Sequence, residues 1–382
     1  MKRSISKALA IVMALALALS VAAVSAFAVD YTAIPGTSTT FNKNLVVDST
    51  AQIPNVEFEF EIAAGTAVPA SSTNLEILAG PVTASAPTVE NAVFTSGMTT
   101  TNGTPTDDTE TSKKFATDEV IVDFSGVEFD KPGVYRYVIT EKASTIKGVT
   151  NDANATRYLD VFVVADESNA LSVQSYALRD TATNISLATG KYAENEDVKS
   201  SGYTNELSTV DLEFAKKITG NQGDKNKQFK FTLAITDANP GLYTVEVSRA
   251  DVLKDDSNVA ANEGVYTITV AADGTCTAYF YLADGDTVKV LDLPEGYGYT
   301  LTEVPEDYQS AAGVDNDGTD NDYTDATSGS AVDVDVKTGY TNDRNGIIPT
   351  GVIVTVAPFA IGLLVFGAII LYVVSKRRRA EY

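Results

Sequence analysis

Lys43, Glu141 and Asn205 sit on stretches that otherwise read as apolar β-strands, and Lys216, Glu303 and Asn342 repeat the same trio in the same order. Alternate residues of a strand share one face. On that parity Lys43 falls in line with Phe41 and Leu45, Glu141 with Tyr135, Tyr137 and Ile139, and Asn205 with Tyr203 and Leu207. In the second set Lys216 follows Val210, Leu212, Phe214 and Ile218, and Glu303 follows Tyr297, Tyr299 and Leu301. The polar groups are thus aimed at apolar cores. An unpaired buried charge costs several kcal/mol, so each needs compensation or a purpose. A buried ion pair, or heads that reach water at a sheet edge, is one answer. A reaction is the other, and the recurrence of one trio in two places favours it. Burial lowers a lysine pKa and raises a glutamate pKa. A neutral amine can then attack the Asn carboxamide while a protonated Glu polarises the carbonyl and relays protons, with ammonia leaving. The product is an internal amide. The enclosing fold supplies the effective concentration, and no cofactor is needed.

The elements that must position these groups are strands. Short alternating runs rich in Val, Ile, Thr, Tyr and Phe recur between Gly, Asn and Asp turns, as in Val134 to Thr140, Tyr158 to Val164, Phe229 to Ile235 and Val265 to Val270. Such runs predict antiparallel β-sandwiches. Pro69 to Thr111 is dense in Ser, Thr and Pro and is expected to be largely loop, with a short element near Leu75 to Leu78. Three patterns occur twice in the same order: Phe-x-Lys at Phe41 and Phe214, Tyr-x-Tyr-x-[Ile/Leu]-Thr-Glu at Tyr135 and Tyr297, and Gly-Tyr-Thr-Asn at Gly202 and Gly339. The chain therefore reads as a duplicated domain with a boundary near Ser208. Lysine on the first strand and asparagine on the last would tie the two ends of each sandwich together. Pulling force would then pass through covalent bonds instead of unzipping the sheet.

Both ends of the 382-residue chain carry different signals. Lys2, Arg3 and Lys7, the apolar run Ile11 to Val24 and Ala26-Phe27-Ala28 read as a secretory signal peptide over residues 1–28. Gly351 to Val374 is uncharged and is followed by Lys376-Arg377-Arg378-Arg379. That length suffices to span a bilayer as a helix, with the basic cluster inside. A permanent anchor is one reading. Ile348-Pro349-Thr350-Gly351 lies directly against the apolar run, and this ordered triplet of motif, span and basic tail resembles a sortase sorting signal over residues 346–382. It lacks the residue that the common form places between Pro and Thr.

Between those ends stand 21 basic against 50 acidic residues, a net charge of −29. So acidic a surface makes nucleic acid an improbable partner and suits solubility outside the cell. Cys276 is the only cysteine, and its parity with Ala278, Phe280 and Leu282 predicts a small buried apolar role. With no histidine, His-based acid-base catalysis and the usual zinc sites are excluded. The acidic loop Asp315 to Asp322 fails the EF-hand spacing and reads as solvated.

The paired Lys, Glu and Asn motifs, the run Gly220 to Asp224, and the end Ile348 to Lys376 with Ala357-Pro358-Phe359-Ala360 resemble the streptococcal T-antigen backbone pilin family. The resemblance implies two CnaB-like, immunoglobulin-type β-sandwiches, spanning 29–207 and 208–345. It also implies a self-formed isopeptide bond in each: Lys43 with Asn205 and Glu141, and Lys216 with Asn342 and Glu303. Lys217 is the rival of Lys216, but its parity points outward. The implied function is a structural subunit whose Thr350 carbonyl a sortase transfers to a lysine of another pilin subunit, with peptidoglycan as the final attachment. Lys199 fits the family's acceptor position better than Lys191. A wall-anchored monomeric adhesin is the alternative, and a host ligand is left unassigned. An enzyme acting on other molecules has little support, because the proposed chemistry turns over once and consumes its own side chains.

Overall fold

Alternation of buried and outward residues sets the strands. Phe229, Phe231, Leu233 and Ile235 are buried while Lys230, Thr232 and Ala234 between them are partly open. The computed structural model describes residues 31–82, 86–192, 199–262, 264–315 and 322–346. Among them, sixteen strands have five or more residues. These are β1 (Ser38–Asp48), β2 (Phe60–Ala64), β3 (Lys113–Asp123), β4 (Gly133–Glu141), β5 (Thr156–Ala165), β6 (Leu171–Arg179), β7 (Gly202–Leu207), β8 (Thr209–Thr219), β9 (Phe229–Thr236), β10 (Gly241–Val247), β11 (Val265–Val270), β12 (Cys276–Leu282), β13 (Thr287–Pro294), β14 (Tyr297–Glu303), β15 (Ser328–Val332) and β16 (Val336–Asp343). The four runs expected from alternation fall within β4, β5, β9 and β11.

In the N-terminal half one sheet has the order β6-β5-β4-β2, with Ile77–Ala79 added parallel to β4. The other is built on β7-β1-β3, flanked by Val149–Thr150 and Thr88–Val89. Phe41, Leu45, Val120 and Tyr203 from one sheet and Phe60, Tyr135, Tyr137 and Leu159 from the other form a single core between them. In the C-terminal half the larger sheet runs Ala260–Asn262, β11, β10, β13, β8, β16, Gln309–Ala312, and the smaller runs β12-β9-β14-β15. A second core fills the space between these two. The molecule is thus all-β, with two β-sandwiches in tandem.

The first and last strands of each half are neighbours. β7 pairs in parallel with β1, and β16 pairs in parallel with β8. The glycine that opens Gly-Tyr-Thr-Asn permits the approach in both places. A Cβ on Gly202, whose φ is +140°, would collide with the Asn42 carbonyl oxygen, and one on Gly339 with that of Ala215. Asn42 and Ala215 each precede the lysine of the trio.

One local expectation holds and one needs correction. Pro69 to Thr111 is largely loop, as expected; its described residues include the short strands Ile77–Ala79, Thr88–Val89, Ala92–Phe94 and Thr100–Asn102, the first overlapping the element expected near Leu75 to Leu78. Cys276 is only half-buried, because it opens β12 opposite Ile235 at the end of the sheet. The outer face of β4 is covered by the segment after β6. Val134 packs with Leu75, Ile77 and Ile185 there. Arg136 donates to both oxygens of Asp160 at 2.7 and 2.8 Å, and Tyr192 Oη donates to the same carboxylate at 2.9 Å. The guanidinium of Arg179 lies 3.7 Å from the Tyr192 ring centre.

Residues 1–28, Ile348, Pro349, Thr350 and Gly351, and the apolar run after them lie outside the described residues, as do 316–321 of the acidic loop. No helix among the described residues is long and apolar enough to cross a membrane.

Candidate functional site: two buried lysine, glutamate and asparagine clusters

β1 and β7 bring Lys43 and Asn205 onto the inner face of one sheet, and β4 brings Glu141 from the sheet opposite. β8, β16 and β14 do the same for Lys216, Asn342 and Glu303. The register repeats too: Asn205 is paired with Leu45, two residues beyond Lys43, and Asn342 with Ile218, two beyond Lys216. One duplicated strand arrangement thus holds one chemical arrangement twice.

The distances agree between the halves. Lys43 Nζ lies 2.6 Å from Glu141 Oε1, and Asn205 Nδ2 donates to that oxygen at 2.7 Å. Lys216 Nζ lies 2.5 Å from Glu303 Oε1, which also accepts from Asn342 Nδ2 at 2.9 Å. Amine and carboxamide therefore meet on one carboxylate oxygen. Each Nζ thus forms a close, buried ion pair with its glutamate. Both lysines and both asparagines are at most 1 % exposed. Phe58 closes over Lys43 Nζ with its ring centre 4.6 Å away, and Phe229 covers Lys216 Nζ at the same distance. Burial drives each lysine pKa down to about 8, and the attraction of the facing glutamate only partly opposes it. Lys217 points out of the core to the Asp315 carbonyl, as its parity predicts.

The amide orientation departs from the sequence expectation. Glu was expected to face the Asn carbonyl, yet in both clusters it accepts from Nδ2, the nitrogen that would leave. At Asn205 the orientation is fixed from the other side, because the backbone N–H of Asp152 donates to Oδ1 at 2.8 Å and an N–H can meet only the oxygen.

Sequence reasoning missed several supporting groups. Tyr203 Oη donates to the Ile139 carbonyl at 2.8 Å and Tyr340 Oη to that of Leu301 at 3.0 Å, bridging the sheets two residues before each Glu. The tyrosine of Gly-Tyr-Thr-Asn was the visible signal. Ser310 Oγ donates to Glu303 Oε2 at 2.8 Å, a contact with no counterpart signal in the first half. Lys199 is exposed, and its backbone pairs with that of Arg179 at the end of β6, whereas Lys191 is half-buried. Among the described residues no group of three or more acidic or thiol side chains is placed to hold a metal.

Residues 39–205 match the family described as the Spy0128-like isopeptide containing domain, and residues 210–344 match a domain of unknown function (DUF7601). A pilin of Streptococcus pyogenes serotype M1 is 29 % identical over 356 residues, covering 90 % of this chain and 92 % of that protein. The fold is similar to the T3.2 major pilin of Streptococcus pyogenes, with TM-score 0.52 at 21 % identity over 82 % of this chain and 99 % of that one. A single-substitution variant of a major pilin from the same species gives TM-score 0.50 at 24 % identity, over 81 % and 100 %. With a Spy0128-like isopeptide containing domain matched in its first half and similarity to a Streptococcus pyogenes pilin along nine-tenths of its length, the chain is a pilin homologue.

Proposed function

We propose that this pilin subunit is exported by residues 1–28 and folds as two isopeptide-closed domains, 29–207 and 208–345. A sortase then acts on the sorting signal in 346–382 and joins the Thr350 carbonyl to Lys199 of another subunit, the last subunit being attached to peptidoglycan. The observation that carries the isopeptide reading is the duplicated meeting of a lysine amine and an asparagine carboxamide on one glutamate oxygen in a buried core. The matched ranges 39–205 and 210–344, which flank Ser208, support the domain limits.

The chemistry follows from the contacts. With its pKa lowered to about 8 the Lys amine loses its proton readily, so the neutral nucleophile is accessible at neutral pH beside the Glu carboxylate. The amine attacks Asn Cγ, forming the Nζ–Cγ bond. Glu accepts a proton from the attacking nitrogen and delivers it to Nδ2, and the Cγ–Nδ2 bond breaks to release ammonia. Each cluster reacts once, and the folded sandwich supplies the proximity.

Lysine suits the intersubunit step because its flexible stem presents a nucleophilic amine to an acyl-enzyme. Lys199→Arg keeps the charge without a usable amine. In cells with the cognate sortase that variant is expected to lose the ladder of denaturant-resistant multimers while still reaching the wall as a monomer. A ladder that persists, and vanishes with Lys191→Arg, moves the acceptor. A wild-type chain that never forms a ladder beside its sortase favours the monomeric adhesin.

A further inference from the structure

We infer that the backbone N–H of Asp152 is the oxyanion donor for the Lys43–Asn205 reaction, a role that rests on the isopeptide reading above. Attack on Cγ turns the carboxamide oxygen into an alkoxide, and a donor already aimed at that atom lowers the barrier most. Asp152 N lies 2.8 Å from Asn205 Oδ1, on the far side of the amide from Glu141. The two halves of the job are thereby divided. Glu141 serves the nitrogens, carrying the proton from Lys43 to the departing ammonia, while Asp152 N–H holds the oxygen as its charge rises and falls.

The donor is held rigidly. Asp152 follows the short strand Val149–Thr150, which pairs with β7, so its turn is docked on the strand that carries Asn205. Its own carboxylate fastens the turn. Oδ2 accepts from Thr204 N at 2.9 Å, one residue before Asn205, and from Arg157 Nη2 at 2.9 Å. Oδ1 accepts from Asn154 N at 2.9 Å. Arg157 is buried, and its guanidinium lies 4.6 Å from the ring centre of Tyr203, again on β7. The side chain positions the peptide, and the peptide meets the reacting oxygen. At the second cluster, among the described residues, Asn342 Oδ1 meets no such donor.

The test follows bond formation in the full chain made by cell-free synthesis, with aliquots quenched in acid, digested, and the two cross-linked peptides quantified separately. Asp152→Pro removes the N–H, whereas Asp152→Asn keeps it and removes only the charge. Relative to the Lys216–Asn342 cross-link in the same molecules, Asp152→Pro is expected to slow the Lys43–Asn205 cross-link by about a hundredfold. Asp152→Asn is expected to remain at least about tenfold faster than the proline variant. Equal rates for the two variants overturn the inference and leave the isopeptide reading intact. Absence of both cross-links from the wild-type chain overturns both. Should the proline variant not fold, hydrogen exchange decides: the Asp152 amide is expected to be protected in the wild type and to lose that protection in Asn205→Ala, and an amide that exchanges freely in the wild type overturns the role.

Discussion

Lys43 and Lys216 face a carboxylate that cannot fully offset their loss of water, and that imbalance fits them for the proposed role of nucleophile at neutral pH. An ordinary lysine near 10.5 would be neutral in roughly one molecule in three thousand at pH 7, a lysine near 8 in roughly one in ten. The sign of the pH effect follows. The rate of cross-linking is expected to rise about tenfold per unit below pH 8 and to level off above it, measured by quenched mass analysis of newly folded chain. A rate still climbing beyond pH 9.5 would show that burial has not lowered the amines. The same shift makes the unreacted fold more stable as pH rises from about 8 toward 10.5, since over that window the unfolded chain holds protons that the folded one does not. Strand parity, with the repeated Gly-Tyr-Thr-Asn for Asn342, made all six residues legible in the sequence, because the same polar trio recurs twice in line with apolar residues. Asp152 was not legible: it acts through its peptide N–H, which every residue but proline possesses, and only the fold aims it.

At the scale of elements, the reaction depends on two sheets keeping their distance. β1 and β7 fix lysine against asparagine by backbone pairing, but glutamate arrives on β4 across the core, where packing alone sets its height. Tyr203 and Tyr340 supply the missing restraint by tying each asparagine-bearing strand to the glutamate-bearing strand. Tyr203→Phe is expected to retain the fold and slow the Lys43–Asn205 bond about tenfold, the Lys216–Asn342 bond serving as the reference, with the converse for Tyr340→Phe. A purely structural tyrosine would instead lower thermal stability without separating the two rates. The tyrosines stood in a repeated motif and so announced themselves, though not their partners. The Arg136, Asp160, Arg179 and Tyr192 network gave no such signal. Parity places Arg136 on the outer face of β4, and only tertiary structure reveals that a later segment covers that face.

For the molecule as a whole, a single residue, Ser208, separates β7 from β8, and both its backbone groups are engaged. Its N–H donates to Gly148 O at 2.8 Å and its carbonyl accepts from Glu295 N at 3.1 Å. Asn239 adds a clamp, accepting from Lys147 N at 3.1 Å and donating to Lys147 O at 2.9 Å. The strand that ends with one asparagine therefore leads directly into the strand that carries the next lysine, which suits a subunit meant to transmit tension. The duplication made this plan visible in the sequence, while the clamp, formed by one asparagine against a backbone, left no pattern to read. Everything in the account turns on whether two amide bonds form. The decisive measurement is the intact mass of the folded region from Val29 to Thr350. The account predicts a mass below that of the sequence by two molecules of ammonia, with Glu141→Ala and Glu303→Ala each restoring one and lowering thermal stability as the lost cross-link frees the unfolded chain. A wild-type mass equal to that of the unmodified sequence would contradict it at both clusters.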